Sequence, residues 1–241
     1  MPTIDNVLRR GRDGKLPWRL LACDYDETIA TKGAMSPAAA EALHEARAAG
    51  WRTALVTGRP LANCQEVCRD FSCFDLVVAE SGAVLHFPST GATEDLVPPP
   101  PPDFVRELDR RGVRYLPGRV VVIVLGSSPE AVGAIIRDAG LALDYFWNRY
   151  AVMVVPRGTS KATGLRTALA RIGVRPEEVV AFGDDENDRP LFEVAGLKVA
   201  VGNAIDAIKA AADVTLEKPN GEGVAEFIRE RLLAGGPPSG P

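Results

Sequence analysis

The chain has 241 residues, 46% of them hydrophobic and 25% charged, with a formal net charge of -4. That length holds a sizeable core, and the mild acidity argues against nucleic acid or an anionic membrane as partner. No apolar run approaches the ~20 residues of a membrane span and the first residues lack a signal-peptide apolar stretch, so a cytoplasmic protein is expected.

In chain order, "WRLLACDYD" reads as a buried strand that runs into three acidic residues, Asp24, Asp26 and Glu27. "SPAAAEALHEARAAGW" reads as a helix, with Ser36 as N-cap, Pro37 in the first turn and Gly50 just past the end. "WRTALVTG" is a second strand, "LANCQEVCRDF" a helix, and "FDLVVAESGAVLHF" two strands about a turn. This alternation implies a parallel sheet with helices on both faces. The five consecutive prolines at 98–102, inside "STGATEDLVPPPPPD", exclude helix interior and central strand and mark an extended linker. Beyond it, helix, strand, helix and two antiparallel strands make a small α/β unit. The first rhythm resumes after Pro156, and the tail "GGPPSGP" is expected to be disordered.

The expected fold class is therefore α/β, a doubly wound Rossmann-like parallel sheet core with a small inserted α/β cap. The core is expected in two halves, 1–90 and 157–234, with the cap and its proline-rich linker over 91–156 and the tail over 235–241. The four cysteines, Cys23, Cys64, Cys68 and Cys73, form no CxxC pair. They read as free, mostly buried thiols rather than a zinc site.

Ligands bind at the carboxyl ends of strands in open parallel sheets, and unusual polar residues stand at four such places. Asp24 and Asp26 are two apart and share a direction while the backbone stays extended. Two such carboxylates repel unless a cation intervenes; a hard divalent ion, Mg²⁺ where phosphate is the substrate, removes that conflict. Taken alone, the pair also suits a solvated acidic turn. Thr57 and the backbone N–H of Gly58 suit a phosphate oxygen, as does Lys161 at a helix N-terminus, although Lys161 taken alone reads more readily as an exposed lysine. "GDDEND" at 183–188 again ends an apolar strand in carboxylates, Asp184, Asp185, Glu186 and Asp188, with Asn187 as a further oxygen ligand. Two acidic strand ends in one sheet point to the two halves of a metal site.

In these residues the sequence resembles the haloacid dehalogenase superfamily, whose ordered motifs DxDx[TV], Ser/Thr, Lys and GDxxND are matched by "DYDET", Thr57, Lys161 and "GDDEND". The insertion between the second and third motifs is similar to the Cof-like, subfamily IIB branch. Its small size resembles the caps of phosphoglycolate and sugar-phosphate phosphatases. Two departures stand out: Glu27 where that branch usually has Gly, and Ser81-Gly82-Ala83 where it often has Asn-Gly-Ala. The resemblance implies a phosphatase acting on a small phosphorylated metabolite. Asp24 would be the nucleophile forming an aspartyl-phosphate, and Asp26 the general acid and base. It further implies Mg²⁺ held by Asp24, Asp26, Asp184 and Asp188 with Asn187 behind, and phosphate held by Thr57, Gly58 and Lys161. Among cap residues, Arg114, Arg119, Asn148 and Arg149 are candidates for substrate contact. A phosphomutase or phosphotransferase using the same intermediate, and a non-catalytic phosphate-binding regulatory subunit, are the alternatives. Both a lone chain and a homodimer agree with this reading. A receiver domain is set aside, since Thr57 and Lys161 both precede the second acidic cluster and receivers carry no cap.

Overall fold

The computed structural model describes residues 16–68, 70–148, 151–236 and 238. The chain opens with β1 (Leu20–Cys23), a short hairpin of β2 (Ala30–Thr31) and β3 (Ala34–Met35), then α1 (Pro37–Ala48) and β4 (Arg52–Val56). Next come α2 (Leu61–Val67), β5 (Leu76–Ala79), β6 (Val84–Phe87) and β7 (Ala92–Asp95). The small unit holds α3 (Pro102–Arg110), β8 (Tyr115–Pro117), β9 (Val122–Leu125), α4 (Pro129–Asp138), β10 (Leu143–Asn148) and β11 (Ala151–Pro156). The second run comprises α5 (Lys161–Ile172), β12 (Val179–Gly183), α6 (Arg189–Phe192), β13 (Leu197–Ala200), α7 (Asp206–Ala211), β14 (Val214–Thr215) and α8 (Asn220–Phe227).

The larger sheet has the order β14-β13-β12-β1-β4-β5-β6-β7. From β14 to β5 every pairing is parallel. Strands β1 and β12 are buried along their whole length, which requires cover on both faces. Helices α1 and α8 pack together in one group, and α5 packs with α6 in another. Helix α1 begins where the sequence sets it, with the Ser36 hydroxyl accepting from the Ala39 N–H. The chain order moves outward from β1 in one direction through β4 and β5, and from β12 in the other through β13 and β14. The switch point of the sheet therefore lies between β1 and β12, the place where such sheets bind ligands.

The last two strands depart from the parallel expectation. A tight turn leads from β5 to β6, and a turn of that length can only return the chain antiparallel. Strand β7 continues the same way at the edge. Its residues fall in the stretch read as linker, so the larger sheet runs on to Asp95 before the prolines begin. Pro102 is itself the first residue of α3, a position where its missing N–H costs nothing.

The inserted unit forms a separate four-stranded antiparallel sheet in the order β10-β11-β9-β8. Alternation along its strands divides two faces. Val122, Val124, Val152 and Val154 pack under α3 and α4 with Phe104, Leu108, Val132 and Ile136. Val121, Met153 and Val155 form a second cluster with Ile123 and Phe146. The unit is fastened to the core by Glu80, at the end of β5. Its carboxylate is 1% exposed and accepts from the N–H groups of Arg119 at 2.9 Å, Val120 at 2.7 Å and Val121 at 2.8 Å.

All four cysteines are free and buried, and burial pushes the Cys68 thiol up to about 11. Among the described residues no helix is long and apolar enough to cross a membrane. Arg149 lies outside the described residues. Of the tail, 235, 236 and 238 are described, and Pro238 bridges Leu16.

Candidate active site

Register brings the two acidic segments together. Cys23 pairs with Phe182 across β1 and β12, and the Asp24 N–H donates to the Phe182 carbonyl at 3.0 Å. Asp24 and Asp184 therefore leave adjacent parallel strands side by side. After Asp24 the chain turns, with Glu27 in the left-handed region at φ 58°. That conformation suits glycine, which accounts for the residue usual in the related branch. The Glu27 carboxylate accepts from the Lys32 N–H, and its carbonyl accepts from Asn203, whose own side-chain oxygen accepts from the Asn220 N–H. Asn203 thereby ties the acidic loop to the start of α8.

Lys161 opens α5 behind its N-cap Ser160 and is 4% exposed, so it is not the exposed lysine that the sequence left open. Its ammonium donates to Asp24 Oδ1 and to Asp188 Oδ1, each at 2.6 Å. Glycine makes that position reachable. Gly82 sits at φ 101°, and a Cβ there would lie 1.9 Å from the Ser160 carbonyl; one on Gly164 would lie 2.4 Å from Gly82 Cα. Only two glycines let the first turn of α5 rest on the turn after β5. Burial disfavours the Lys161 charge, but Asp188 and Asp24 outweigh it and hold the ammonium above the ordinary lysine range.

Asp188 is fully buried, and its second oxygen accepts from the N–H groups of Asp184 at 2.9 Å and Asp185 at 3.2 Å. Thr28 donates to Asp184 Oδ1 at 3.0 Å. Burial, and then the Asp188 charge, pushes the Asp24 carboxyl well above the usual range; Lys161 opposes this and Asp184 adds to it. Asp24, Asp184 and Asp188 offer carboxylate oxygens within 4.8 Å of one another. These three buried carboxylates and the Lys161 ammonium carry, as a set of four, an excess of negative charge when all are ionised. A divalent cation fits that excess, and an all-oxygen donor set suits a hard ion.

Asp26 is held differently. Arg59 donates to its two oxygens at 2.7 and 2.6 Å, reaches Asn63 Oδ1 at 2.7 Å and stacks 5.3 Å from the centre of the Tyr25 ring. Arg59 and Asp26 thus form a two-pronged ion pair beside the site. Thr57 is buried at the end of β4, and its hydroxyl accepts from the Arg59 N–H at 3.1 Å. Its own hydrogen is left for another acceptor.

Asp24, Asp26, Thr57, Gly58, Asp184, Asn187 and Asn148 line one pit of about 10 Å³, room for one water-sized particle. The pit thus gathers all the expected site residues except Lys161 and Asp188, which stand behind Asp24 and Asp184. Asn148 comes from the inserted unit, and its side-chain oxygen accepts from Asn187 at 3.4 Å. Beside the pit lies a cavity of about 300 Å³ between the inserted unit and the core, lined by Gly58, Ser81, Lys161, Asn187, Phe146 and Trp147 among others. Phe146 and Trp147 escaped the sequence reading; the one signal was a run of aromatics, "YFWNRY", at a strand end. Arg119 pairs with Asp95, and neither it nor Arg114 lines either cavity.

Comparison with known proteins agrees with this geometry. Family models described as haloacid dehalogenase-like hydrolase match residues 16–129 and 140–228. A phosphoglycolate phosphatase of Methanopyrus kandleri is 32% identical over 204 residues, 79% of this chain and 86% of that protein. Phosphoglycolate phosphatase 2 of Saccharolobus solfataricus is 38% identical over 130 residues, and there the match spans only 53% of either chain. Among solved structures, the haloacid dehalogenase subclass IIB sugar phosphatase BT4131 superposes with a TM-score of 0.70 at 20% identity, over 88% of this chain and 98% of that one. With the motifs in order, their side chains converging at the sheet's switch point and a relative of this extent, the chain belongs to the haloacid dehalogenase-like hydrolases.

Proposed function

We propose that the chain is a Mg²⁺-dependent phosphatase that hydrolyses a small phosphorylated metabolite through an aspartyl-phosphate on Asp24. The observation that carries this reading is the buried group of Asp24, Asp184 and Asp188 against a single Lys161, beside a pit lined by Thr57 and Asp26. Relatives named phosphoglycolate phosphatase support the reaction class, and a small ester suits a site roofed by the inserted unit.

In the first step a carboxylate oxygen of Asp24 attacks phosphorus and the bond from phosphorus to the ester oxygen breaks. Asp26, entering the step as the acid with a proton in place of one of its two Arg59 hydrogen bonds, gives that proton to the leaving oxygen. Water then attacks the acyl phosphate, Asp26 takes the water's proton, and Asp24 is released as a carboxylate with inorganic phosphate. Thr57, the Gly58 N–H and Lys161 neutralise charge on the transferring phosphoryl oxygens. Asp24, Asp184 and the Asp26 carbonyl would hold Mg²⁺, with Asn187 behind; Asp188 would hold it directly or fix Asp184 and Lys161 in place. When bound, the ion would supply positive charge for the phosphoryl oxygens and offset the negative charge of the converging carboxylates.

Asp24→Asn removes the nucleophile while keeping its shape. Phosphate release from aryl and sugar phosphates is expected to fall by about 10³-fold or more, with the circular dichroism spectrum unchanged. Undiminished release by that variant would refute the mechanism, and a phosphorylated isomer as the sole product would make the protein a mutase.

A further inference from the structure

Resting on the phosphatase reading, the cavity next to the pit bears on what the ester carries. Gly58, Lys161 and the neighbouring Asn187 connect it to the proposed phosphoryl site, so it lies where the alcohol part of an ester would extend. Its wall is built by Phe146 and Trp147 from the inserted unit and Pro190 from the core. Trp147 is 52% exposed, an unusual state for an indole and one that leaves a flat apolar face uncovered.

The charges of the wall point the same way. Lys161 is its sole cation among the described residues, and Asp24 and Asp188 already hold that ammonium at 2.6 Å each. The charged residue facing the cavity besides it is Glu186, paired with Arg189 at 2.5 Å. A carboxylate on the alcohol part would lie against apolar surface and a like charge, with no further cation among the described lining residues to receive it. We infer that this site selects phosphate monoesters whose alcohol part is uncharged and carries a ring, the ring stacking on Trp147.

Steady-state kinetics on four esters test this: phenyl phosphate and glucose 6-phosphate as aromatic and sugar rings, glycerol 1-phosphate as a neutral open chain, and 2-phosphoglycolate as the carboxylate. At least one ring ester is expected to exceed 2-phosphoglycolate in kcat/KM by about tenfold or more. Trp147→Ala is expected to lower the ratio of ring to open-chain kcat/KM by about tenfold through KM, while Trp147→Phe keeps it. Preference for 2-phosphoglycolate, or an equal loss on all four esters in Trp147→Ala, overturns the inference. Binding is read separately from turnover in Asp24→Asn by tryptophan fluorescence, since Trp18 and Trp51 are buried. Ring esters should quench it more than 2-phosphoglycolate, and Trp147→Phe in that background should remove the difference. Quenching by ring esters in a protein that releases phosphate from none would sink the phosphatase reading and keep this one. Equal quenching by all four sinks this one alone.

Discussion

Arg59 grips Asp26 with two nitrogens, at 2.7 and 2.6 Å, while its third nitrogen is fixed by Asn63 and its plane lies by Tyr25. A planar fork so held gives the Asp26 carboxylate one orientation, which a lysine cannot reproduce because it is a point charge. Arg59→Ala is therefore expected to lower kcat by about 10²-fold with a smaller change in KM, and Arg59→Lys to recover only part of it. Equal kcat in Arg59→Ala and the parent protein would show that Asp26 needs no such support. This partnership joins residues 33 apart in the chain, and periodicity carries no trace of it. Asp24, by contrast, was legible, because an acidic residue at the end of an apolar strand has no structural purpose there.

At the scale of elements, the join between core and inserted unit is held by a short stretch of backbone. Three consecutive N–H groups, of Arg119, Val120 and Val121, converge on the buried Glu80 carboxylate. Glu80→Ala leaves these donors without their charged acceptor and is expected to cost about 3 kcal/mol in urea unfolding. A loss below ~0.5 kcal/mol would mean that water replaces the carboxylate. Helix α1 was readable from its cap and apolar spacing, and the hairpin β10–β11 from two apolar runs. The hairpin β2–β3 was not. Its turn is Lys32-Gly33, with both residues at positive φ, and it lacks the Asn-Gly or Asp-Gly pair that usually marks such turns. Strand β7, mostly exposed at the sheet edge, has no buried face to leave an apolar pattern.

For the whole molecule, the charge balance at the switch point couples ligand to stability. Three carboxylates converge between β1 and β12 beside the Lys161 ammonium, a donor set that exists only in the folded chain, so a cation held by it binds the folded chain and not the unfolded one. Added Mg²⁺ is expected to stabilise the fold by about 2.7 kcal/mol at a hundred times its Kd, read as a rise in Tm. EDTA is expected to abolish phosphate release and Mg²⁺ to restore it. Full activity in excess chelator would exclude the ion from the reaction. Asp24→Asn offers a control, since removing one of the carboxylates should shrink the rise in Tm.

From sequence alone came the layered α/β class and the acidic strand ends with Thr57 and Lys161. These are local properties: strand burial, cap residues and a polar group out of place each leave a mark within a few positions. The tertiary structure decided the partnerships. Lys161 reaches Asp24 across 137 residues, Thr28 reaches Asp184 across 156, and Asn148 comes to the pit, with Phe146 and Trp147 at the cavity beside it, only because the inserted unit folds back over the core. Such pairings follow from strand order and from how one sheet seats on another, and neither is written in the spacing of residues along the chain.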